Sequence, residues 1–378
     1  MVEPKRFLHR LLKPYAGEPP PGLYRTRRPD ALIRIAGVAV PHFISVVTRL
    51  GGDADLPDLP TTVSRRRVRV SGRRQVARDQ DVVQLTLVSL DGSALSQWHP
   101  GAHIDVHLPS GRARQYSLCG DPQRAQEYRI AVRLIGSAGG SAEAHALAVG
   151  DVVEVSEPRN AFLLSLPGTA SRAESLRFIA GGIGITAILP MVRLADRLGL
   201  SWSLYYTGRN RDSLPFLDEL LGFGDNVCVR TDDQSGLPTA DDLLVDIDSR
   251  TAVYVCGPPA MTDLVQRAIP VDSGIEVHVE RFSPLPVVDG VPFRMVLGDG
   301  HVVPVASDQS ALAALREIRP DVGYSCQQGF CGSCVQRVLE GDVDHRDTLL
   351  TDQQRQDGQM LVCVSRAKSN GAQLILDI

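Results

Sequence analysis

The chain has 378 residues and 43% hydrophobic residues, more than a single core usually serves, so two to four domains are expected. Its formal net charge of −4 is too mild for a nucleic-acid binder, and no run of about 20 uninterrupted apolar residues is present to span a bilayer. Four of the seven cysteines fall in one set near the end; Cys119, Cys228 and Cys256 make no even disulfide framework, which points to a reducing, cytoplasmic setting.

Residues 1–62 form an extension and linker of distinct character. Prolines 19–21 and a basic stretch up to Arg49 are followed by a Gly-, Asp- and Pro-rich segment from Gly51 to Pro60. Ala31 to Leu50 is apolar but broken by Arg34, Pro41, His42 and Arg49, so it is neither a signal peptide nor a membrane span. A short surface helix or two is expected there, packed on this chain's own domains or serving as a docking element for a partner or a membrane surface.

From 63 to about 168, short alternating segments such as Val82–Val88 and Tyr128–Leu134 are broken every ten or so residues by Gly, Pro and Asp, as in a small antiparallel β-barrel. Arg114-Gln-Tyr-Ser117 is expected at the end of a barrel strand, and Gly139-Gly-Ser141 opens a helical stretch, Ala142–Leu147. An arginine can balance a phosphate, a phenol can stack on a planar ring, and a hydroxyl can hydrogen-bond its polar edge, which together suit a flavin. Each piece also has a plain reading: Arg114 as a surface charge, Tyr116 as core, Ser141 as a helix cap.

Between 169 and 286, apolar strand-like runs (Leu176–Ala180, Trp202–Tyr206, Val227–Arg230 and Ala252–Cys256) alternate with helical stretches, the signature of a doubly wound parallel sheet. After the first run comes Gly181-Gly-Ile-Gly-Ile-Thr186, then a helical run, Ile188–Leu198. Such a loop offers backbone N–H groups to a pyrophosphate, although its spacing is not that of the common dinucleotide fingerprint and a tight turn would look the same. Cys256-Gly-Pro258, at the carboxyl end of the last of these strands, lies where open parallel sheets bind ligands, and a thiol without a thiol partner suits close approach to a nicotinamide ring.

The remainder, 287–378, has a strand pair around Gly298–Gly300, a helix near Ser310–Ile318 and then Cys326, Cys331, Cys334 and Cys363. The C-x4-C-x2-C spacing with a distant fourth cysteine is that of a plant-type 2Fe-2S cluster. Zinc also takes four thiolates, but usually from two C-x2-C hooks, and here there is one. Gly329 and Gly332 let the backbone fold around the cluster and aim N–H groups at its sulfurs.

In order and wording, Arg114-Gln-Tyr-Ser117, Gly139-Gly-Ser141, Val149-Gly-Asp151, Glu157-Pro-Arg-Asn160, Gly181 to Thr186, Cys256-Gly-Pro258, Glu280-Arg-Phe282 and the cysteine set resemble the phthalate dioxygenase reductase and vanillate demethylase reductase family over about 63–378. The resemblance implies a flavin barrel, an NAD domain and a C-terminal β-grasp ferredoxin domain. It implies FMN, with Arg114 and Gly139, Gly140 and Ser141 at the terminal phosphate, Gln115, Tyr116, Ser117 and Phe282 at the ring, and NADH as donor. Gly181, Gly182, Ile183, Gly184, Ile185 and Thr186 would then meet the NAD pyrophosphate, and Cys256, Gly257 and Pro258 the nicotinamide. Departures are Ala187, where proline is common in the family, the 62-residue extension, and Thr207-Gly-Arg-Asn-Arg211, whose Arg209 and Arg211 could meet the 2'-phosphate of NADPH.

The implied activity is that of an oxidoreductase that splits a hydride's electron pair for a terminal oxygenase, a Rieske-type hydroxylase or O-demethylase. Reduction of a haem-thiolate or membrane-bound monooxygenase, and a redox sensor without sustained turnover, are the alternatives. Asp344-His-Arg-Asp347 and Arg337 are candidates for the partner-facing surface or for structural ion pairs.

Overall fold

The first six strands, β1 (Arg65–Ala77), β2 (Val82–Ser89), β3 (His103–His107), β4 (Ala113–Ser117), β5 (Glu127–Arg133) and β6 (Val152–Ser156), form one antiparallel sheet in the order β4-β3-β6-β1-β2-β5. It curls until its edges meet: Cys119, just past β4, donates its N–H to the Arg129 carbonyl of β5 at 2.8 Å. Barrel closure follows from alternation, since Val68, Val70, Leu85, Leu87, Ile104 and Ile130 point inward and are fully buried while arginines at 65, 67 and 69 point outward. The computed structural model describes residues 65–378 apart from Ala138, Thr169 and Ser325. The expected extension at 1–62 lies outside the described residues.

The second sheet is wholly parallel: β7 (Ser175–Gly181), β8 (Ser201–Gly208), β9 (Val227–Thr231), β10 (Thr251–Cys256) and β11 (Glu276–Glu280), in the order β11-β10-β7-β8-β9. Apolar side chains pack on both of its faces. Phe178, Trp202, Tyr206 and Tyr254 meet helix α2 (Ile185–Arg197) on one side; Ile179, Tyr205, Val253 and Val255 meet Val265 of helix α3 (Pro259–Ala268) on the other. The doubly wound arrangement expected from the alternation is therefore present.

Two details differ from expectation. Cys256 does not end the last strand, because β11 follows; this edge strand is only half buried and its Glu-Val-His-Val-Glu sequence lacks the apolar run that marked the others. The chain order places the topological switch between β7 and β10, so both glycine segments lie at the switch point rather than at an edge. The other difference is at helix starts. Gly182–Gly184 forms a 3-10 turn and α2 begins at Ile185, while α1 (Gly140–His145), the first helix among the described residues, begins two residues before Ala142.

The last sheet is mixed, β13-β12-β18-β14-β16, built from β12 (Phe293–Leu297), β13 (Val302–Val305), β14 (Val335–Glu340), β16 (Gln359–Leu361) and β18 (Gln373–Leu376), with a short pair β15 (Val343–Asp344) and β17 (Arg366–Ala367) beside it. Helix α4 (Ala311–Ile318), capped by the Ser310 hydroxyl accepting from Ala313 N–H, lays Leu312 and Leu315 on the sheet core. This is the β-grasp arrangement.

Side chains tie the three sheets together. Arg193 of α2 donates to the carbonyls of Cys119 and Gly120 at 2.8 and 2.9 Å, and Asn210 donates to Asp79 at 2.7 Å. Arg346 donates to Val288 O at 2.6 Å and to Asp289 O, and buried Arg366 to Val291, Ala306 and Gln309 carbonyls. These two arginines stitch the connector before β12 onto the last sheet. Among the described residues no helix is long and apolar enough to cross a membrane.

Candidate functional site

Arg114-Gln-Tyr-Ser117 forms almost all of β4 rather than its end, paired with β3 so that Arg114 faces Val106 and Tyr116 faces Ile104. Arg114 lies against the start of α1: a Cβ on Gly140 would come 2.7 Å from the Arg114 guanidinium carbon, so only glycine leaves room. Gly139 precedes it with φ +97, a conformation that favours glycine. Ser141 does not cap this helix; its hydroxyl donates to Ile135 O at 3.0 Å. Nearby, Gln115 keeps a buried amide nitrogen without a hydrogen-bond partner among the described residues, and Tyr116 is held neutral, its phenol pushed up to about 12 chiefly by burial. An arginine, an unsatisfied amide and a neutral phenol on one strand match the polar edge and flat ring of a flavin.

At the carboxyl ends of the parallel strands the two glycine segments press on each other. A Cβ at Gly181 would stand 2.5 Å from Pro258 Cδ, one at Gly184 would overlap the Cys256 carbonyl oxygen, and one at Gly257 would stand 3.0 Å from Gly181. Close packing thus demands these glycines independently of any nucleotide. Gly182 is different, with φ +52 and open space around it. Ile183 is half exposed beside it, whereas Ile185 is fully buried and the Thr186 hydroxyl donates to Ile183 O at 3.0 Å, so both of these side chains are engaged with the fold.

Thr207, the residue before the end of β8, is buried and in register with Gly181. Arg209 and Arg211 beyond it are exposed and show no side-chain ion pair among the described residues, while burial raises Asp232, with Asp233 adding to the effect and Arg209 opposing it. Both a cation and a carboxylate therefore border this end of the sheet.

Cys256 and Glu280 stand side by side in register, both buried. Burial pushes the Cys256 thiol well up, with the Glu280 charge adding to it. Glu280 is itself raised to about 8, first by burial and then by the nearby Cys331, and its Oε2 has no hydrogen-bond partner. Burial thus favours its protonated form near neutral pH, at the carboxyl ends of β10 and β11. Two residues on, Phe282 is 46% exposed and free to cover a planar ring.

The cysteine loop brings the four thiols into two pairs. Cys326 bonds with Cys331, and Cys334 with Cys363; in each pair sharing of one proton lowers one thiol (Cys331, to about 4, and Cys334) and raises the other (Cys326 and Cys363). Among the described residues no three potential ligands gather around a single ion position. Two pairs suit two irons better than one zinc. Backbone N–H groups already point at sulfur, Gln328 to Cys326 at 3.3 Å and Cys326 to Cys331 at 3.4 Å, the hydrogen bonds that stabilise an electron-rich cluster. The loop holds this shape through left-handed residues at Gln327, Gly329 and Gly332.

The proposed partner-facing quartet behaves otherwise. Asp347 is buried, accepts from Leu350 N–H at 2.8 Å and from Arg355, and so ties down the loop following it; Asp344 pairs with Arg346, which is itself engaged with the connector. Arg337 alone of these charges is exposed and without a side-chain partner among the described residues.

A 2Fe-2S iron-sulfur cluster binding domain matches residues 295–368, which include all four cysteines. The phthalate dioxygenase reductase of Burkholderia cepacia is 36% identical over 322 residues, 82% of this chain and 97% of that protein. The chain belongs to the phthalate dioxygenase reductase family. The solved structure of a phthalate dioxygenase reductase, described as modular for electron transfer from pyridine nucleotides to [2Fe-2S], is 35% identical with a TM-score of 0.61 and covers 82% of this chain and 97% of that one. An intact type IV self-sufficient cytochrome P450 monooxygenase is also similar, 38% identical with a TM-score of 0.62, covering 83% of this chain but 41% of that longer one. Within the phthalate dioxygenase reductase frame, three residues not singled out from sequence join the site: Glu280, Tyr324 and Arg316. Only Glu280 carried a signal, as part of Glu280-Arg-Phe282.

Proposed function

We propose that this chain is an NADH-dependent oxidoreductase that passes electrons through FMN and a 2Fe-2S cluster to an oxygenase, of the Rieske type that hydroxylates aromatic rings or removes O-methyl groups. When bound, the flavin takes up the electron pair of a hydride and the cluster passes electrons on singly. The observation that carries the reading is convergence: Tyr324, two residues before Cys326, lies near Tyr116 of β4, and Gln328 and Phe330 of the cysteine loop share a cleft with Val277, Val279 and Arg281 at β11.

In this reading Arg114, Gly139, Gly140 and Ser141 hold the FMN phosphate, and Gln115, Tyr116, Ser117 and Phe282 orient its ring. The segment Gly181–Gly184 offers backbone at the open Gly182 for the NADH pyrophosphate, with Thr207 and Arg209 toward the adenosine. Cys256, Gly257 and Pro258 border the nicotinamide, where buried apolar and neutral groups exclude water. Glu280 supplies a protonated carboxyl rather than a charge there. Cys326 with Cys331 and Cys334 with Cys363 each hold one iron. We assign 63–168 to the flavin unit, 169–286 to the NAD unit and 287–378 to the ferredoxin unit, with residues 1–62 as the candidate for a partner or peripheral membrane contact. Seven cysteines without a disulfide among the described residues support a cytoplasmic setting.

A second reading, delivery to a haem-thiolate monooxygenase, draws on the 38% identity to the self-sufficient P450 over 83% of this chain. The test is an anaerobic absorbance spectrum before and after NADH, with the released flavin identified by mass, followed by cytochrome c reduction by wild type and Cys331→Ser. Flavin and iron-sulfur bands that bleach, FMN on release, and a variant that still bleaches its flavin but no longer reduces cytochrome c are expected. A colourless protein, or zinc without flavin, would end the proposal. Titration of reduced protein with a Rieske oxygenase and with a P450 then separates the two acceptors.

A further inference from the structure

The electron path proposed above needs the flavin strand and the cysteine loop at a fixed spacing, yet they belong to separate sheets. Arg316 of α4 spans the gap. Its guanidinium carbon lies 4.0 Å above the ring centroid of Tyr324, two residues before Cys326, and its Nη2 donates to the carbonyl of Ala113, the first residue of β4, at 3.4 Å. Tyr324 is only 4% exposed, so the stacked pair is shielded from water, where a cation over an aromatic face is worth most. Tyr324 also lies close enough to Tyr116 of β4 for its charge to bear on that phenol. No carboxylate pairs with Arg316 among the described residues, and its Nε is buried without a partner, so the ring and the carbonyl are the contacts that fix the side chain.

We propose that Arg316 is a positioning residue that clamps the cysteine loop to the flavin strand, by stacking on Tyr324 and gripping Ala113 O, and so sets the spacing between flavin and cluster. A guanidinium suits this task because its flat face stacks while its edge donates in the same plane; an ammonium does one or the other well. The inference rests on the proposed electron path, and it assigns no chemistry to Arg316 itself.

The test uses full-length holoprotein carrying Arg316→Met, which keeps the aliphatic stem, and Arg316→Lys, which restores the charge. Flavin bleaching by NADH and appearance of the reduced-cluster spectrum are followed separately in one anaerobic mixing experiment, and solution scattering is recorded for each protein. In Arg316→Met, flavin bleaching at the wild-type rate, cluster reduction slowed roughly tenfold, equivalent to about 1.4 kcal/mol, and a larger radius of gyration are expected. Arg316→Lys should recover part of both losses. Cluster reduction as fast as wild type, or an equal fall in both rates, would overturn the clamp. If NADH fails to bleach the wild-type flavin, the electron path itself is wrong, and unchanged scattering in Arg316→Met then overturns the clamp on its own.

Discussion

The loop after β7 and the loop that carries three of the cysteines are both rich in glycine, but for opposite reasons. In the first, Gly181 and Gly184 adopt ordinary backbone angles and are needed because a second segment, Cys256 to Pro258, leaves no room for a side chain. In the second, Gly329 and Gly332 are needed first for their angles, φ +81 and +79, which turn N–H groups toward sulfur. Gly181 and Gly184 in the loop after β7 serve packing between neighbours, whereas Gly182 there and the glycines of the cysteine loop serve chain direction. The motif alone does not distinguish the two uses.

Substitution separates them. Gly184→Ala places a methyl on the main-chain carbonyl of Cys256, which cannot rotate away, and a loss of about 3 kcal/mol is expected in chemical denaturation. Flavin reduction by NADH should fall with it, because Cys256 is displaced. Gly329→Ala meets both a left-handed angle and Val364 Cγ2 at 2.8 Å, an expected cost of about 2 kcal/mol, with cluster content per chain lowered and NADH-dependent flavin bleaching intact. Gly182→Ala has only its φ of +52 to contend with, so about 1 kcal/mol is expected and the Michaelis constant for NADH should change more than stability does. A Gly182→Ala effect larger than that of Gly184→Ala would reverse the comparison.

His103 in the barrel provides a reference outside both loops, silent at neutral pH. Burial, assisted by Arg159, lowers its pKa from 6.5 to about 4, so the folded protein binds fewer protons there than the unfolded chain. Its contribution to stability is complete above pH 6.5 and is lost as pH falls through about 4. Melting temperature should therefore drop over that window, and His103→Gln should flatten the drop without altering the ranking of the glycine variants.

What could be read from sequence was whatever the chain writes locally. The cysteine spacing is a property of nine consecutive residues and one distant thiol, and the runs at 176–180, 202–206 and 252–256 are apolar because those strands are covered on both faces. β11 escaped because an edge strand needs no apolar run. Asp347 was open to two readings, partner-facing charge or structural ion pair, and it is the second: buried, it accepts from Leu350 N–H and pairs with Arg355. Arg316, Tyr324 and Glu280 matter through approaches between sheets: Arg316 and Ala113 are 203 positions apart in the chain, and no local pattern announces such a meeting.

The grip of Arg346 and Arg366 on the connector has a practical corollary. Every acceptor they use there, at Val288, Asp289 and Val291, is a main-chain carbonyl. The connector is thus held through main-chain acceptors, and its sequence can drift while the attachment persists except at Gly290, where a Cβ would overlap the Ser307 carbonyl oxygen. For module exchange between reductases the natural seam lies upstream of Val287, near Ser283 to Pro286: a graft cut there carries its own anchored strap, whereas one cut at β12 would leave both arginines facing a foreign backbone.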